Sequence, residues 1–144
     1  GWIARIFLSN RTYGGRAYCG TDRVHSLVSL GSPHAPAKGA AYSSIRWLAS
    51  ATEQEGPPEL SLRGVRQLAV GARGTLASFS DFTQNSYIFC GADERDSAVE
   101  GDGVTPLESA LALPGSEALL LDGAAHAPEY PSIGPTAPLQ ERLR

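Results

Sequence analysis

The sequence predicts an α/β chain built on a parallel sheet. Three apolar runs, "RVHSLVSLG" at 23–31, "VRQLAVG" at 65–71 and "EALLLDG" at 117–123, each end at a glycine and an expected loop. Helical patterns lie between and before them, and strands alternating with helices are the signature of parallel crossover units. In such sheets ligands gather at the carboxyl ends of the strands, so the residues just after each run are the ones to examine.

Trp2, Ile3, Ile6 and Phe7 recur at helical spacing, so the chain opens on a helix with one apolar face that ends near Ser9 and Asn10. The polar, glycine-bearing stretch 11–20 reads as a loop. The run at 23–31 is expected to be a strand buried on both faces, as central parallel strands are. "SPHAPAKGA" then breaks regular structure, Tyr42 to Glu53 reads as a helix, and "EGPPE" ends it. Beyond the strand at 65–71, "SYIFCG" reads as a short strand or a strand extension. In "GDGVTPLESALALPG", Thr105 is the expected N-cap, Pro106 suits the first turn, Glu108 completes the capping-box spacing and Gly115 closes the helix. The proline-rich tail ends in "PLQERLR", a short final helix by pattern.

The chain of 144 residues has the length of one domain, with 42% hydrophobic and 19% charged residues, a globular composition. A net charge of −3 gives no attraction to phosphate backbones or anionic membranes, so nucleic acid is not an expected partner. No apolar run has the length of a membrane span, and targeting is unreadable. Cys19 and Cys90 lack zinc-site spacing and read as two buried free thiols, with one long-range disulfide as the alternative. No Walker loop or dinucleotide glycine fingerprint is present, and "DERD" at 93–96 is too sparse in oxygens for calcium; no cofactor or metal is expected.

Two residues stand where chemistry belongs. Asp102, between Gly101 and Gly103, precedes a helix, and His126 follows the next strand, so both fall on one edge of a parallel sheet. That is where a carboxylate can orient a histidine and stabilise its charged form. The plainer alternatives are a turn or capping aspartate and a loop histidine. A nucleophile elbow, G-x-S-x-G, is absent from the sequence. His25 reads as a packed or edge histidine, Ser32 lies outside any elbow pattern, and Trp2 and Trp47 read as packing residues.

The set "GWIARIFL", "YCGTDRVHSLVSLGSPHAP", "GDGVTP" and "DGAAHAP" resembles the C-terminal half of lipase-like serine hydrolases of the α/β-hydrolase superfamily. The likeness is to the plant, algal and cyanobacterial type found beside GPI inositol-deacylases and triacylglycerol lipases. The resemblance implies that residues 1–144 are a partial α/β-hydrolase domain, the C-terminal half of its parallel sheet with flanking helices. Residues 32–64 would include a cap or insert. In that group the elbow reads G-H-S-x-G-G-W, which places the serine about three residues before Gly1 and leaves both oxyanion-hole donors outside the chain. By position Asp102 matches the triad acid, His126 the triad base, and Ser32 and His34 the residues that line the substrate site. Ser32 departs from the commoner threonine, and the tail "EYPSIGPTAPLQERLR" lacks the usual aromatic-rich approach to the final helix.

The implied activity is hydrolysis of an ester or lipid substrate, with no cofactor and a chloroplast or cytoplasmic setting. The competing expectation is a noncatalytic interaction module or assembly subunit derived from the same fold. Either way, a parallel sheet cut beside the nucleophile strand leaves an edge that a missing half or a partner must cover. A nucleotide-binding α/β domain is the third and weakest reading.

Overall fold

The computed structural model describes residues 1–34, 46–47, 64–92 and 96–127. Its centre is a parallel sheet of three strands, β3 (Ser26–Leu30), β4 (Arg66–Arg73) and β7 (Glu117–Asp122), in the order β3-β4-β7. Leu30 aligns with Val70 and Val70 with Leu119, so the three carboxyl ends lie together. Around the sheet stand α1 (Trp2–Leu8), the hairpin β1 (Thr12–Tyr13) and β2 (Arg16–Ala17), and a 3-10 turn at Gly20–Arg23. Between β4 and β7 the chain forms β5 (Thr75–Leu76), a 3-10 turn at Ala77–Phe79, α2 (Asp81–Phe89), β6 (Glu100–Gly101) and α3 (Leu107–Leu111). Mixed helices and strands on a parallel sheet make this an α/β arrangement, as the alternation of patterns predicts.

One face of the sheet carries the core. Leu8 packs with Leu27, Val65, Ala69 and Leu113, and Phe7 and Leu111 close over them from α1 and α3. Gly71 lets α3 lie flat on β4, since a Cβ there would come within 2.8 Å of Leu107. The other face is bare along its two outer strands, where Val28 is 55% exposed, Leu30 69%, Leu119 45% and Leu121 41%, while Val70 and Ala72 between them are buried. This corrects the expectation that the first strand is buried on both faces. Leu27 and Ser29 point into the core, while Ser26, Val28 and Leu30 do not.

Three local expectations also change. "SYIFCG" is not a strand; its residues end α2, which Ser80 starts by accepting the Thr83 N–H at 3.1 Å. The β-favouring Tyr, Ile and Phe had masked a helix whose buried residues, Thr83 and Tyr87, are one turn apart. The loop at 11–20 contains the β1–β2 hairpin, turned by Gly14 and Gly15 at φ 58° and 82°. Two successive positive φ angles are what a two-residue hairpin turn demands. Thr105 does not cap α3: Pro106 holds that position with no side-chain bond, and the helix ends at Leu111, before Gly115.

Both cysteines are free, but only Cys90 is buried; Cys19 is exposed. His25 is exposed just before β3. Trp2 donates its indole N–H to the Pro33 carbonyl, and Trp47 packs edge-on against Tyr13 beneath the Arg11 guanidinium. Of the expected helix at 42–53 only Arg46 and Trp47 are described, both helical. Most of the cap at 32–64, the final helix in "PLQERLR" and residues 93–95 of "DERD" lie outside the described residues. No helix among the described residues is long and apolar enough to cross a membrane.

Candidate functional site

The carboxyl end of the sheet brings Asp102 and His126 together. Asp102 sits on the loop between β6 and α3, 3% exposed, and His126 follows β7. Nδ1 of His126 lies 2.8 Å from Oδ2 of Asp102, and the His126 backbone N–H donates to the Asp102 carbonyl at 2.9 Å. The other carboxylate oxygen, Oδ1, accepts the backbone N–H groups of Val104 at 2.9 Å and Thr105 at 2.6 Å. Asp102 is therefore both things its sequence context offered: Oδ1 builds the turn into α3 and Oδ2 faces the imidazole.

This geometry fixes the histidine's tautomer. The carboxylate only accepts, so Nδ1 carries the proton and donates it. Nε2 is left with its lone pair and has no hydrogen-bond partner among the described residues. The bond to Asp102 raises the His126 pKa above its ordinary value; partial burial opposes the rise, and the carboxylate's charge adds to it.

Gly31 at the end of β3 and Thr105 on the aspartate loop itself hold the pair in place. Gly31, directly after β3, has φ 52°, and a Cβ there would stand 2.6 Å from Asp102 Oδ2 and 3.2 Å from His126 Nδ1. Only glycine meets both demands, the left-handed backbone and the close approach. Thr105 Oγ1 donates to the Gly31 carbonyl at 2.7 Å, tying the aspartate loop to the end of β3. The hydroxyl that the sequence offers as a helix cap is thus spent on a contact between distant segments.

A cleft of about 580 Å³ opens beside His126. Leu30, Ser32, Phe82, Phe89 and Cys90 line it, so its walls are mainly apolar. Burial raises the Cys90 thiol to about 11, which keeps it protonated at neutral pH. A smaller recess of about 260 Å³ reaches Asp102 and His126 from the bare face of the sheet, between Val70, Ala72 and Leu121.

Of the sequence-derived residues, Ser32 lines the main cleft. His34 turns into the interior, 6% exposed. Its Nε2 lies 2.7 Å from Ser29 Oγ and its Nδ1 3.4 Å from Arg5 Nη1. Because Arg5 can only donate, Nδ1 accepts and Nε2–H donates to Ser29. Burial, then the Arg5 charge, lowers the His34 pKa to about 3, so the ring is neutral. Burial also lowers the Arg5 pKa to about 10.

Sequence reasoning missed Gly31, the tethering role of Thr105, Phe82, Phe89 and Cys90. The signal for the α2 residues was the cap "SDFT", which marks a helix start. No group of three His, Cys, Asp or Glu that could hold a metal ion occurs among the described residues. Comparison with family models, with curated proteins and with solved structures finds no match.

Proposed function

We propose that this chain carries the acid and base of a serine ester hydrolase of the α/β-hydrolase type, with the nucleophilic serine supplied by sequence N-terminal to Gly1. The observation that carries the reading is the hydrogen bond from His126 Nδ1 to Asp102 Oδ2, which leaves Nε2 able to take a proton at the edge of an apolar cleft. In this mechanism the serine hydroxyl passes its proton to His126 Nε2 as its oxygen attacks the ester carbonyl. Collapse of the tetrahedral adduct breaks the ester C–O bond, and Nε2–H gives the proton to the departing alcohol. Water repeats the sequence on the acyl-enzyme and releases the acid. Asp102 holds the tautomer throughout and stabilises the imidazolium.

The position of Gly1 supports the placement of the nucleophile. Gly1 is the N-cap of α1, and a Cβ on it would lie 2.7 Å from Ser32 Cβ. Ser32 adjoins Gly31, which touches both Asp102 and His126, so residues entering α1 approach the same rim. In this reading Ser32 forms part of the substrate wall and His34 supports it from inside. The remaining half of the domain covers Val28, Leu30, Leu119 and Leu121, a face that a parallel sheet normally buries. The apolar face is also the one observation that favours a noncatalytic interaction module.

Hydrolysis of short- and medium-chain p-nitrophenyl esters by the full-length protein separates the two. The hydrolase reading expects turnover that His126→Ala abolishes and Asp102→Asn reduces by roughly 10⁴-fold, as loss of the correct tautomer does elsewhere. Turnover unchanged in either variant, or no ester hydrolysis at all, overturns it.

A further inference from the structure

The aspartate loop is also held by a phenol. Tyr87, on α2, is fully buried. Its hydroxyl donates to the Thr75 carbonyl at 2.8 Å and accepts the Gly103 N–H at 2.9 Å. Thr75 is paired with Gly101 in the β5–β6 ladder, and a Cβ on Gly101 would lie 2.8 Å from the same hydroxyl oxygen. One oxygen therefore bonds Gly103 to β5, while Gly101, close beside it, is held to β5 by the strand pairing. No proton-transfer role is open to it, since burial raises the Tyr87 pKa far above neutrality, the Gly103 bond opposes this, and Asp102, Glu100 and Cys90 add to the rise.

We propose that Tyr87 is a positioning residue for the Asp102–His126 pair, its hydroxyl setting the direction of the Asp102 carboxylate by fixing Gly103 to β5. The geometry makes the role specific to the oxygen. The ring could be replaced in shape by phenylalanine, but Gly103 would then lose the acceptor for a buried N–H and Thr75 a donor. A loop freed at Gly103 lets Asp102 swing about its remaining Oδ1 bonds to Val104 and Thr105, and the Oδ2 bond to His126 is the one that lengthens. The contribution to catalysis rests on the hydrolase reading; the effect on His126 does not.

The test reads His126 directly. Diethyl pyrocarbonate acylates neutral imidazole, so the pH midpoint of His126 modification in the full-length protein, followed by mass spectrometry of its peptide, reports the ring's pKa. In Tyr87→Phe the midpoint falls from its raised position toward that of an ordinary histidine, and ester turnover drops tenfold or more with KM within twofold. Ser80→Ala, which removes the cap of the same helix without touching the phenol, keeps the parent midpoint. If Tyr87→Phe does not fold, 3-fluorotyrosine at position 87 retains the ring and both bonds but weakens the oxygen as an acceptor, and the midpoint falls in the same direction. A parent midpoint in folded Tyr87→Phe, or in the fluorinated protein, overturns the proposal. Absence of ester turnover in the parent counts against the hydrolase reading alone, because the midpoint comparison still decides the role of Tyr87.

Discussion

His34 should draw stability from this fold in mild acid, against the opposite and separate contribution of His126, whose pKa is raised. The His34 ring is neutral, donating to Ser29 and accepting from Arg5, and has a folded-state pKa of about 3 against the ordinary 6.5. Between those two values the unfolded chain binds a proton that the folded chain refuses, so stability is complete above pH 6.5 and declines as the pH falls toward 3. Each pH unit below 6.5 costs about 1.4 kcal/mol. Going from pH 7 to pH 5 therefore removes about 2 kcal/mol, a large part of the stability of an ordinary domain. Urea denaturation of the full-length protein at a series of pH values, compared with His34→Gln, isolates this contribution. Glutamine keeps a donor and an acceptor for the Ser29 and Arg5 contacts but has no proton to gain. The parent should lose roughly 2 kcal/mol more than the variant over that range. Parallel curves would mean that His34 is protonated in the native state, and that the tautomer assigned from Arg5 and Ser29 is wrong.

Gly31→Ala should displace the Asp102–His126 pair, because the new methyl group would overlap the carboxylate and be strained in the left-handed backbone at this position; a loss of stability of about 1–2 kcal/mol in thermal melts, with turnover reduced at least tenfold, is the expected result. The pH profile of kcat/KM should rise with the deprotonation of His126 at a pH above that of an unperturbed histidine, since Asp102 holds the ring's pKa up. In Asp102→Asn the residual activity should show the ascending limb moved to lower pH, measured by initial rates across the acidic range.

The sheet and the pair were legible in the sequence for the same reason. Apolar runs that stop at Gly31 and Gly123 mark two of the strands, and in a parallel sheet the residues after those stops must share an edge; the third run does not stop at Gly71, since β4 continues through it to Arg73. Placement of Asp102 and His126 followed from topology, without any contact being visible. What the sequence hid was the work of side chains between distant segments. Thr105 has the spacing of a cap, but its hydroxyl goes to the Gly31 carbonyl, a partner far away in the chain. Tyr87 lies in a stretch rich in strand-favouring residues, and its role depends on α2 forming under the Ser80 cap. The bare face of Val28, Leu30, Leu119 and Leu121 could not be read either, because an apolar strand carries no mark of which neighbour covers it.

The most direct test of the central claim is a fluorophosphonate adduct on the full-length protein, located by tandem mass spectrometry. A single modified serine N-terminal to Gly1 is the expected result, with labelling lost in His126→Ala. An adduct on Ser32 or another residue of this chain, or labelling undiminished without the His126 imidazole, would contradict it.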